Sequence, residues 1–275
     1  MLISQRTSWI GAGVITLCAA ANTLAGPEWM EMGEAGNQPA NAQAVTGNGS
    51  DPVTKITGRL SGTDVLRGSS GMFDFQDMYL IKIVNPEGFR ASTLGDFGGF
   101  AGFDAQLFLF KVSGEGLLAN LNVTTFDEHP LLLPFSNDGT EVQITSPGLY
   151  LLAISGFPSF PRNPDGPLFH FDTQTEVSGP DGNGGSGPIN AWTGPGEDGR
   201  YSIGLVGVVG IPVNELGCNE ADIAEPYGVL DFSDVLVFLS QYGAGILDFT
   251  DLAPPFGVLD FSDITAFLTA FAQGC

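Results

Sequence analysis

The spacing of apolar residues changes along this 275-residue chain. From Val53 to about Pro212, short apolar runs alternate with turns rich in Gly, Pro, Asn and Asp, and no long amphipathic helix interrupts them. This pattern predicts an antiparallel β-sandwich over residues 53–212. The predicted strands are Ile56–Leu60, Met78–Val84, Phe89–Leu94, Gln106–Val112, Glu141–Ile144, Leu149–Ile154 and Tyr201–Val208.

After this region, the apolar spacing becomes helical. Two sets of residues recur at i, i+3, i+4 and i+7, which predicts two helices that bury these side chains. The sets are Val235, Phe238, Leu239 and Tyr242, and Ile264, Phe267, Leu268 and Phe271. Either Asp231 or Ser233, and either Asp260 or Ser262, can cap the helix starts, and Gly243 and Gly274 lie where the helices should end.

These two helical segments belong to an internal repeat. Residues 222–239 recur as 251–268, with twelve of eighteen positions identical. A repeat this short cannot bury its apolar side alone, so the copies are expected to pack on each other as one small domain. We define residues 218–275 as the tail; between Cys218 and Cys275 it has nine carboxylates and no Lys, Arg or His.

A long proline- and glycine-rich stretch, residues 157–199, precedes the last strand. Such a composition opposes both helix and strand ladder, so we expect a surface excursion. Trp192, Phe169 and Phe171 could face a sugar, although loops of this kind more often cover an edge strand.

Composition narrows the class of protein. The formal net charge is −22, which repels nucleic acid and anionic lipid and attracts cations. A hydrophobic content of 43% is sufficient for a large folded core, so disorder is not expected.

The N-terminus has the pattern of an export signal. Arg6 precedes an apolar stretch, Trp9 to Ala21, which is too short to span a bilayer, and Thr23-Leu-Ala25 offers small residues for cleavage. Residues 1–25 are therefore predicted to be a signal peptide, followed by a polar lead-in over 26–52. A lipoprotein signal at Leu17-Cys18 is the alternative. Export favours a disulfide between Cys218 and Cys275, with two free thiols as the other possibility.

The repeat resembles a known family. The Gly-Val-Leu-Asp-Phe-Ser-Asp segments, the doubled loop–helix layout and the terminal Gly274-Cys275 are similar to the bacterial GC-type dockerin-like C-terminal domain, found in GC-type dockerin domain-anchored proteins. The resemblance implies a small helical domain of two loop–helix repeats that attaches the protein to a cohesin-like or other surface protein. It also implies a bacterial cell-surface or extracellular location.

Dockerins carry two calcium loops related to the EF-hand, so the resemblance implies Ca²⁺ as a cofactor. The candidate ligands are Asp222, Glu225, Asp231 and Asp234 in the first copy, and Asp251, Asp260 and Asp263 in the second. Calcium requires six to eight oxygen ligands. Asp222 and Asp251 fall one residue too early for the calcium-loop spacing, and the alternative is that these aspartates cap helices and solvate the surface.

The preceding region also resembles a known family. Ile56-Thr-Gly-Arg-Leu-Ser-Gly62, Asp77-Met-Tyr-Leu-Ile-Lys-Ile83, Phe103 to Phe110, Ser146-Pro-Gly-Leu-Tyr-Leu-Leu-Ala153 and Tyr201-Ser-Ile-Gly-Leu205 are similar to the bacterial pre-peptidase C-terminal domain. The resemblance covers about 53–210 and implies a jelly-roll-like β-sandwich of the kind appended to secreted enzymes.

Catalytic patterns are scarce. The histidines are His129 and His170, there is no Gly-x-Ser-x-Gly elbow, and the zinc patterns of metalloproteases are absent. Asp74 and Asp77 are interpreted as turn formers. The sequence therefore predicts a secreted, non-enzymatic protein; a carbohydrate-binding sandwich and an unrecognised secreted hydrolase are the alternatives.

Overall fold

A computed structural model describes residues 27–62, 74–212, 215–217, 219–224, 230–247 and 250–274. The described residues are mainly β, with 34% in strands and 15% in helices. Its strands, numbered β1 to β16 along the chain, form mixed sheets, and two helices follow them. The predicted signal peptide, residues 1–25, lies outside the described residues.

The first sheet has six strands. Its order is β1-β3-β15-β5-β9, and β6 pairs with β15 beyond the end of β5. The strands are Glu28–Met30 (β1), Lys55–Leu60 (β3), Arg90–Ser92 (β5), Phe100–Ala101 (β6), Leu131–Leu132 (β9) and Gly199–Val206 (β15).

The second sheet has seven strands. Its order is β13-β8-β7-β10-β4-β16, and β2 also pairs with β4. The strands are Gln43–Ala44 (β2), Gln76–Ile83 (β4), Ala105–Lys111 (β7), Gly116–Asn120 (β8), Gly148–Gly156 (β10), Val177–Ser178 (β13) and Val208–Val209 (β16). A small third sheet joins Pro161–Asn163 (β11), Gly166–Pro167 (β12) and Ala191–Trp192 (β14).

The inner faces of the two large sheets share one hydrophobic core. Ile56 and Ile203 of the first sheet pack in the same cluster as Ile81, Leu109 and Leu152 of the second. This arrangement follows from the alternation of side chains along each strand, which places every second apolar residue on the inner face. We call residues 27–62 and 74–212 the two-sheet body.

The sheets are mixed because two strands from outside the predicted sandwich region, residues 53–212, join them in parallel. β1 pairs with β3 in parallel, and β2 pairs with β4 in parallel. Both exceptional strands come from the polar lead-in, whose Trp29 and Val45 are buried in the core. The lead-in reaches its partners from a distant part of the chain, so no tight turn imposes the antiparallel direction.

Two strand predictions differ from the structure. Glu141–Ile144 is not a strand; Glu141 has φ of 57°, which breaks the extended backbone, and only a single bridge joins Phe135 to Gln143. Gly116–Asn120, which the sequence analysis missed, is a strand paired with β7. Its hairpin turn, Ser113 to Gly116, was the available signal for it.

The stretch 157–199 is more ordered than expected. It contains β11, β12, β13 and β14, so the density of Pro and Gly did not exclude short ladders. Leu168 and Phe169 are buried against Phe108 and Phe110 of β7, and they form a second core on the outer face of the seven-stranded sheet. The stretch therefore covers a sheet face as well as an edge.

The tail contains the two predicted helices, α1 at Phe232–Ala244 and α2 at Phe261–Gln273. Gly274 caps α2 as expected, whereas α1 continues through Gly243 and is capped by Gly245. Leu239 and Leu268, predicted to be buried, are each 54% exposed. Each leucine lies one residue beyond a buried phenylalanine, about 100° around the helix, and two helices alone cannot cover so wide an apolar face. No described helix is long and apolar enough to cross a membrane.

Candidate functional site in the C-terminal repeats

A buried aspartate ties each repeat together. In the first copy, Asp234 Oδ1 accepts hydrogen bonds from the backbone N–H groups of Ile223 and Ala224, both at 2.8 Å, and Oδ2 accepts one from Asp231 at 2.9 Å. Asp234 is fully buried. Its carboxylate thus joins the chain that enters the loop to the first turn of α1.

The second copy repeats this arrangement. Asp263 Oδ1 accepts from Leu252 N at 2.8 Å and Ala253 N at 2.9 Å, and Oδ2 accepts from Asp260 N at 2.8 Å. These backbone donors, Asp260 first, hold the pKa of Asp263 below its usual value. We call Asp234 and Asp263 the lock aspartates.

The helix caps are aspartates, not serines. Asp231 Oδ1 accepts from Ser233 N at 2.6 Å, and Asp260 Oδ1 accepts from Ser262 N at 2.7 Å. Each cap forms a reciprocal box with its lock aspartate, since the lock side chain returns to the N–H of the cap residue. This resolves the Asp-or-Ser alternatives of the sequence in favour of Asp231 and Asp260.

The candidate calcium ligands are used mainly as hydrogen-bond acceptors. In each lock aspartate, Oδ1 accepts two N–H bonds and Oδ2 accepts one, so most of the acceptor capacity of the carboxylate is already used. Asp251 Oδ2 accepts from Gly257 N, Asp222 is buried, and Glu225 lies outside the described residues. Within the described part of the chain, no three His, Cys, Asp or Glu side chains come together as a metal site. Calcium dependence therefore stays a prediction.

The two helices meet through stacked phenylalanines. The rings of Phe238 and Phe267 lie 4.0 Å apart at 15°, and both side chains are buried. These residues are equivalent in the repeat, so the tail core is built around matched positions. This agrees with the expectation that the copies pack on each other.

The two ends of the tail lie side by side. Asn219 Nδ2 donates to the backbone oxygens of Ala270 and Gly274, both at 3.0 Å. Asn219 follows Cys218, and Gly274 precedes Cys275. Both cysteines lie outside the described residues, so the disulfide between them stays a prediction.

Equivalent apolar side chains remain exposed on both helices. Phe232 and Phe261 are the first helical residues of α1 and α2, and they are 69% and 77% exposed. Leu239 and Leu268 follow seven residues later on the same helix faces. In α1, Leu236 completes the row and is also exposed. We call these five residues the tail apolar rows.

The two-sheet body contains a buried acidic cluster. Tyr201 donates to Asp77 Oδ2 at 2.5 Å, and the Tyr79 and Tyr201 hydroxyls are hydrogen-bonded to each other. Burial, followed by the negative charges of Glu31 and Asp74, holds the pKa of Asp77 well above its usual value. Asp74 and Asp77 are therefore part of a core network rather than simple turn formers.

Asp74 titrates close to neutrality. Burial raises the pKa of Asp74 to about 7, and the charge of Glu34 adds to this, while the N–H of Ser61 opposes it. The cluster consequently holds protons at pH values where surface carboxylates have lost theirs.

Neither histidine is placed for nucleophilic catalysis. His129 Nδ1 pairs with Asp127 at 2.7 Å inside one turn, and His170 lies 3.3 Å from Asp172 at the surface. Among the described hydrogen bonds, none joins a serine or threonine hydroxyl to either imidazole ring. The pattern of a base activating a nucleophile is not formed by these residues.

The three aromatic residues considered for sugar binding differ in their contacts. Phe169 is buried against Phe108, with ring centroids 5.8 Å apart, and Phe171 packs on Phe160. Trp192 lines a cleft of about 470 Å³. The other residues of the cleft are Asn37, Gln38, Phe75, Gln76, Ala191, Gly194 and Pro195.

No protein-family model matches the chain, and no curated protein matches it.

Proposed function

We propose that this chain is a secreted, non-enzymatic bacterial protein whose tail is a dockerin-like docking module. The tail would attach a jelly-roll-like β-sandwich to a cohesin-like or other protein at the cell surface or outside the cell. The fold of the two-sheet body, with two large sheets around one core, is compatible with such a sandwich.

The tail apolar rows are the observation that carries this proposal. A single exposed Leu or Phe is ordinary on a protein surface, but equivalent exposed pairs on two repeated helices are not expected without a partner. Phe232 and Leu239 lie on one side of α1, as do Phe261 and Leu268 on α2. A helix with such a row fits an apolar surface of another protein.

The acidic character of the tail supports selectivity for that partner. Nine carboxylates and no basic residue lie between Cys218 and Cys275. A partner with positive charge around an apolar surface would be attracted, whereas acidic surfaces, including those of other copies, would be repelled.

Retention at the cell surface tests the proposal. We would compare the full chain, a chain that stops before Cys218, and the variant Leu239→Glu/Leu268→Glu in the producing organism. We expect the shortened chain and the double variant to be released into the medium, because a charge in the centre of an apolar contact weakens binding strongly. Phe126→Ser is the matched control, since Phe126 is 98% exposed on the two-sheet body and far from the tail in sequence.

Calcium dependence is examined in the same assay. Cells are washed with a calcium-selective chelator and then with calcium restored. Release of the protein that calcium reverses would support calcium-dependent docking.

If the shortened chain or the double variant stays at the surface as fully as the unchanged protein, the docking proposal is wrong.

The cleft beside Trp192 favours a second candidate function, carbohydrate binding by the sandwich. It combines aromatic rings with the side-chain amides of Asn37 and Gln38, the mixture that sugar sites use. Pull-down of the full chain with a panel of neutral polysaccharides tests it, and no retention on any of them would reject this candidate.

A further inference from the structure

The four arginines in the described part of this acidic protein form no ion pair. The chain has 31 Asp and Glu residues against nine Lys and Arg. Lys55, Lys82 and Lys111 each pair with a glutamate. No described arginine makes an ion pair with a described carboxylate; they are Arg59, Arg90, Arg162 and Arg200. With so many carboxylates in the chain, four arginines without an ion pair call for a closer description of their surroundings.

Two of these arginines lie directly opposite each other on the six-stranded sheet. The β3–β15 register pairs Arg59 with Arg200. The residues next to them, Leu60 and Tyr201, are buried in the core. Because side chains alternate along a strand, both arginines face outward.

The next row of the same outer face carries both polar and apolar side chains. Thr57 lies opposite Ser202, with Met30 of β1 on one side and Phe100 of β6 on the other. Met30 is 72% exposed and Phe100 is 54% exposed. We define Met30, Thr57, Arg59, Phe100, Arg200 and Ser202 as the arginine face.

In the isolated chain, the placement of two arginines opposite each other is energetically unfavourable. Like charges directly across an antiparallel pair repel each other. Arg59 Nε is also buried without a hydrogen-bond partner in the described part of the chain. The nearby acids are occupied elsewhere, since Glu28 binds Lys55 and Glu31 accepts from the backbone N–H groups of Ala35 and Arg59. An external anion bound between the two guanidinium groups would relieve the repulsion between them.

We propose that the arginine face binds an acidic glycan, a polysaccharide whose sugars carry carboxylates. Opposed residues on neighbouring strands have Cα atoms about 4.5–5.5 Å apart, so the two guanidinium groups can converge on one carboxylate. The hydroxyls of Thr57 and Ser202 suit sugar hydroxyls, and the exposed Met30 and Phe100 suit the apolar faces of sugar rings. An extended acidic peptide would instead add to a sheet edge, whereas this face lies across four paired strands.

Binding of the full chain to polygalacturonate tests the proposal, at about 0.15 M salt so that long-range repulsion from the acidic protein is screened. Fully methyl-esterified polygalacturonate is the matched ligand without charge. The variant Arg59→Gln/Arg200→Gln should weaken binding to polygalacturonate by at least about tenfold, since both charged donors are lost. Arg90→Gln/Arg162→Gln removes the same charge at residues outside the arginine face, since Arg90 lies opposite Val206, six residues along β15 from Arg200, and Arg162 lies on β11. This control should change affinity less than about twofold.

Each result decides the matter. The proposal is supported by retention on polygalacturonate, no retention on its ester, and loss only in the Arg59/Arg200 variant. Lack of binding to polygalacturonate, equal binding of the ester, or equal loss in both double variants would overturn it. Stronger binding to polyglutamate would also overturn it and assign the face to an acidic protein. If the Gln variant does not fold, Arg59→Lys/Arg200→Lys keeps the charge but loses the bidentate donors, and unchanged affinity in it counts against the proposal. The arginine face uses no tail residue, so this outcome is independent of docking.

Discussion

Replacing one lock aspartate by asparagine should loosen the tail without removing any apolar contact. In Asp234→Asn, one oxygen remains and can still accept from Ile223 and Ala224. The other oxygen becomes an amide NH₂ that faces the N–H of Asp231. Two donors then confront each other in a buried position, and the negative charge that strengthened the remaining bonds is lost.

The expected cost can be worked from these three bonds. A hydrogen bond to a charged group contributes about 1.5–3 kcal/mol, and a buried donor left without an acceptor costs about 1–3 kcal/mol. Since the asparagine retains two weaker bonds, we expect a loss of about 2–4 kcal/mol in the free energy of local unfolding of α1 and its loop. Asp231→Asn is the matched control, because Asn and Asp are about equally good helix caps and the cost should be a few tenths of a kcal/mol.

Native-state hydrogen exchange of the full chain, followed by mass spectrometry of tail peptides, measures this difference locally. At about tenfold per 1.4 kcal/mol, Asp234→Asn should speed exchange in α1 by between about thirtyfold and several hundredfold, limited by the total stability of the tail. Peptides of the two-sheet body should be unchanged. Exchange in α1 within about threefold of the unchanged protein would show that the buried carboxylate does not hold the loop, and the reasoning would be refuted.

Two further predictions concern the core network and the cysteines. Folded Asp74 keeps its proton up to about pH 7, whereas the unfolded side chain loses it near 3.8, so stability should fall as pH rises across this interval. Measured with chelator present, the Tm of Asp74→Asn should equal that of the unchanged protein near pH 4 and exceed it near pH 8 by about 2 °C or more. A difference in Tm between the two proteins that stays constant over this pH range would contradict the prediction. Thiol titration of the denatured, unreduced protein should detect no free thiol at Cys218 or Cys275, and two titrating thiols would exclude the disulfide.

The tail was largely predictable because its signals are local. Residues 222–239 and 251–268 share their sequence, so a feature seen in one copy is expected in the other. Helix type and caps follow from nearby residues. The roles of Asp234 and Asp263 were not predictable, because a carboxylate at that position suits a calcium ligand and a backbone acceptor equally well. The structure distinguishes these two roles because it places the N–H groups of Ile223 and Ala224, eleven and ten residues before Asp234, against its carboxylate.

The strands of the two-sheet body were predictable where apolar and polar residues alternate clearly along the sequence. Tyr79, Ile81 and Ile83 show the pattern of a strand with one buried face, and all three are fully buried. Pairing between distant segments was not predictable, since nothing local tells β1 to join β3 in parallel. The arginine face could not be predicted for the same reason, since Arg59 and Arg200 are far apart in sequence and only the strand register brings them together.

The described linker residues and the arginine face lie on opposite sides of the two-sheet body. The described linker residues Glu215 and Leu216 leave the body along the outer face of the seven-stranded sheet, where Glu215 pairs with Lys82 and Leu216 lines a groove with Leu80. The arginine face lies on the outer face of the other sheet. Because the shared core separates these two faces, the described linker residues do not lie across Arg59 and Arg200. We therefore expect docking through the tail and glycan binding at the arginine face not to compete.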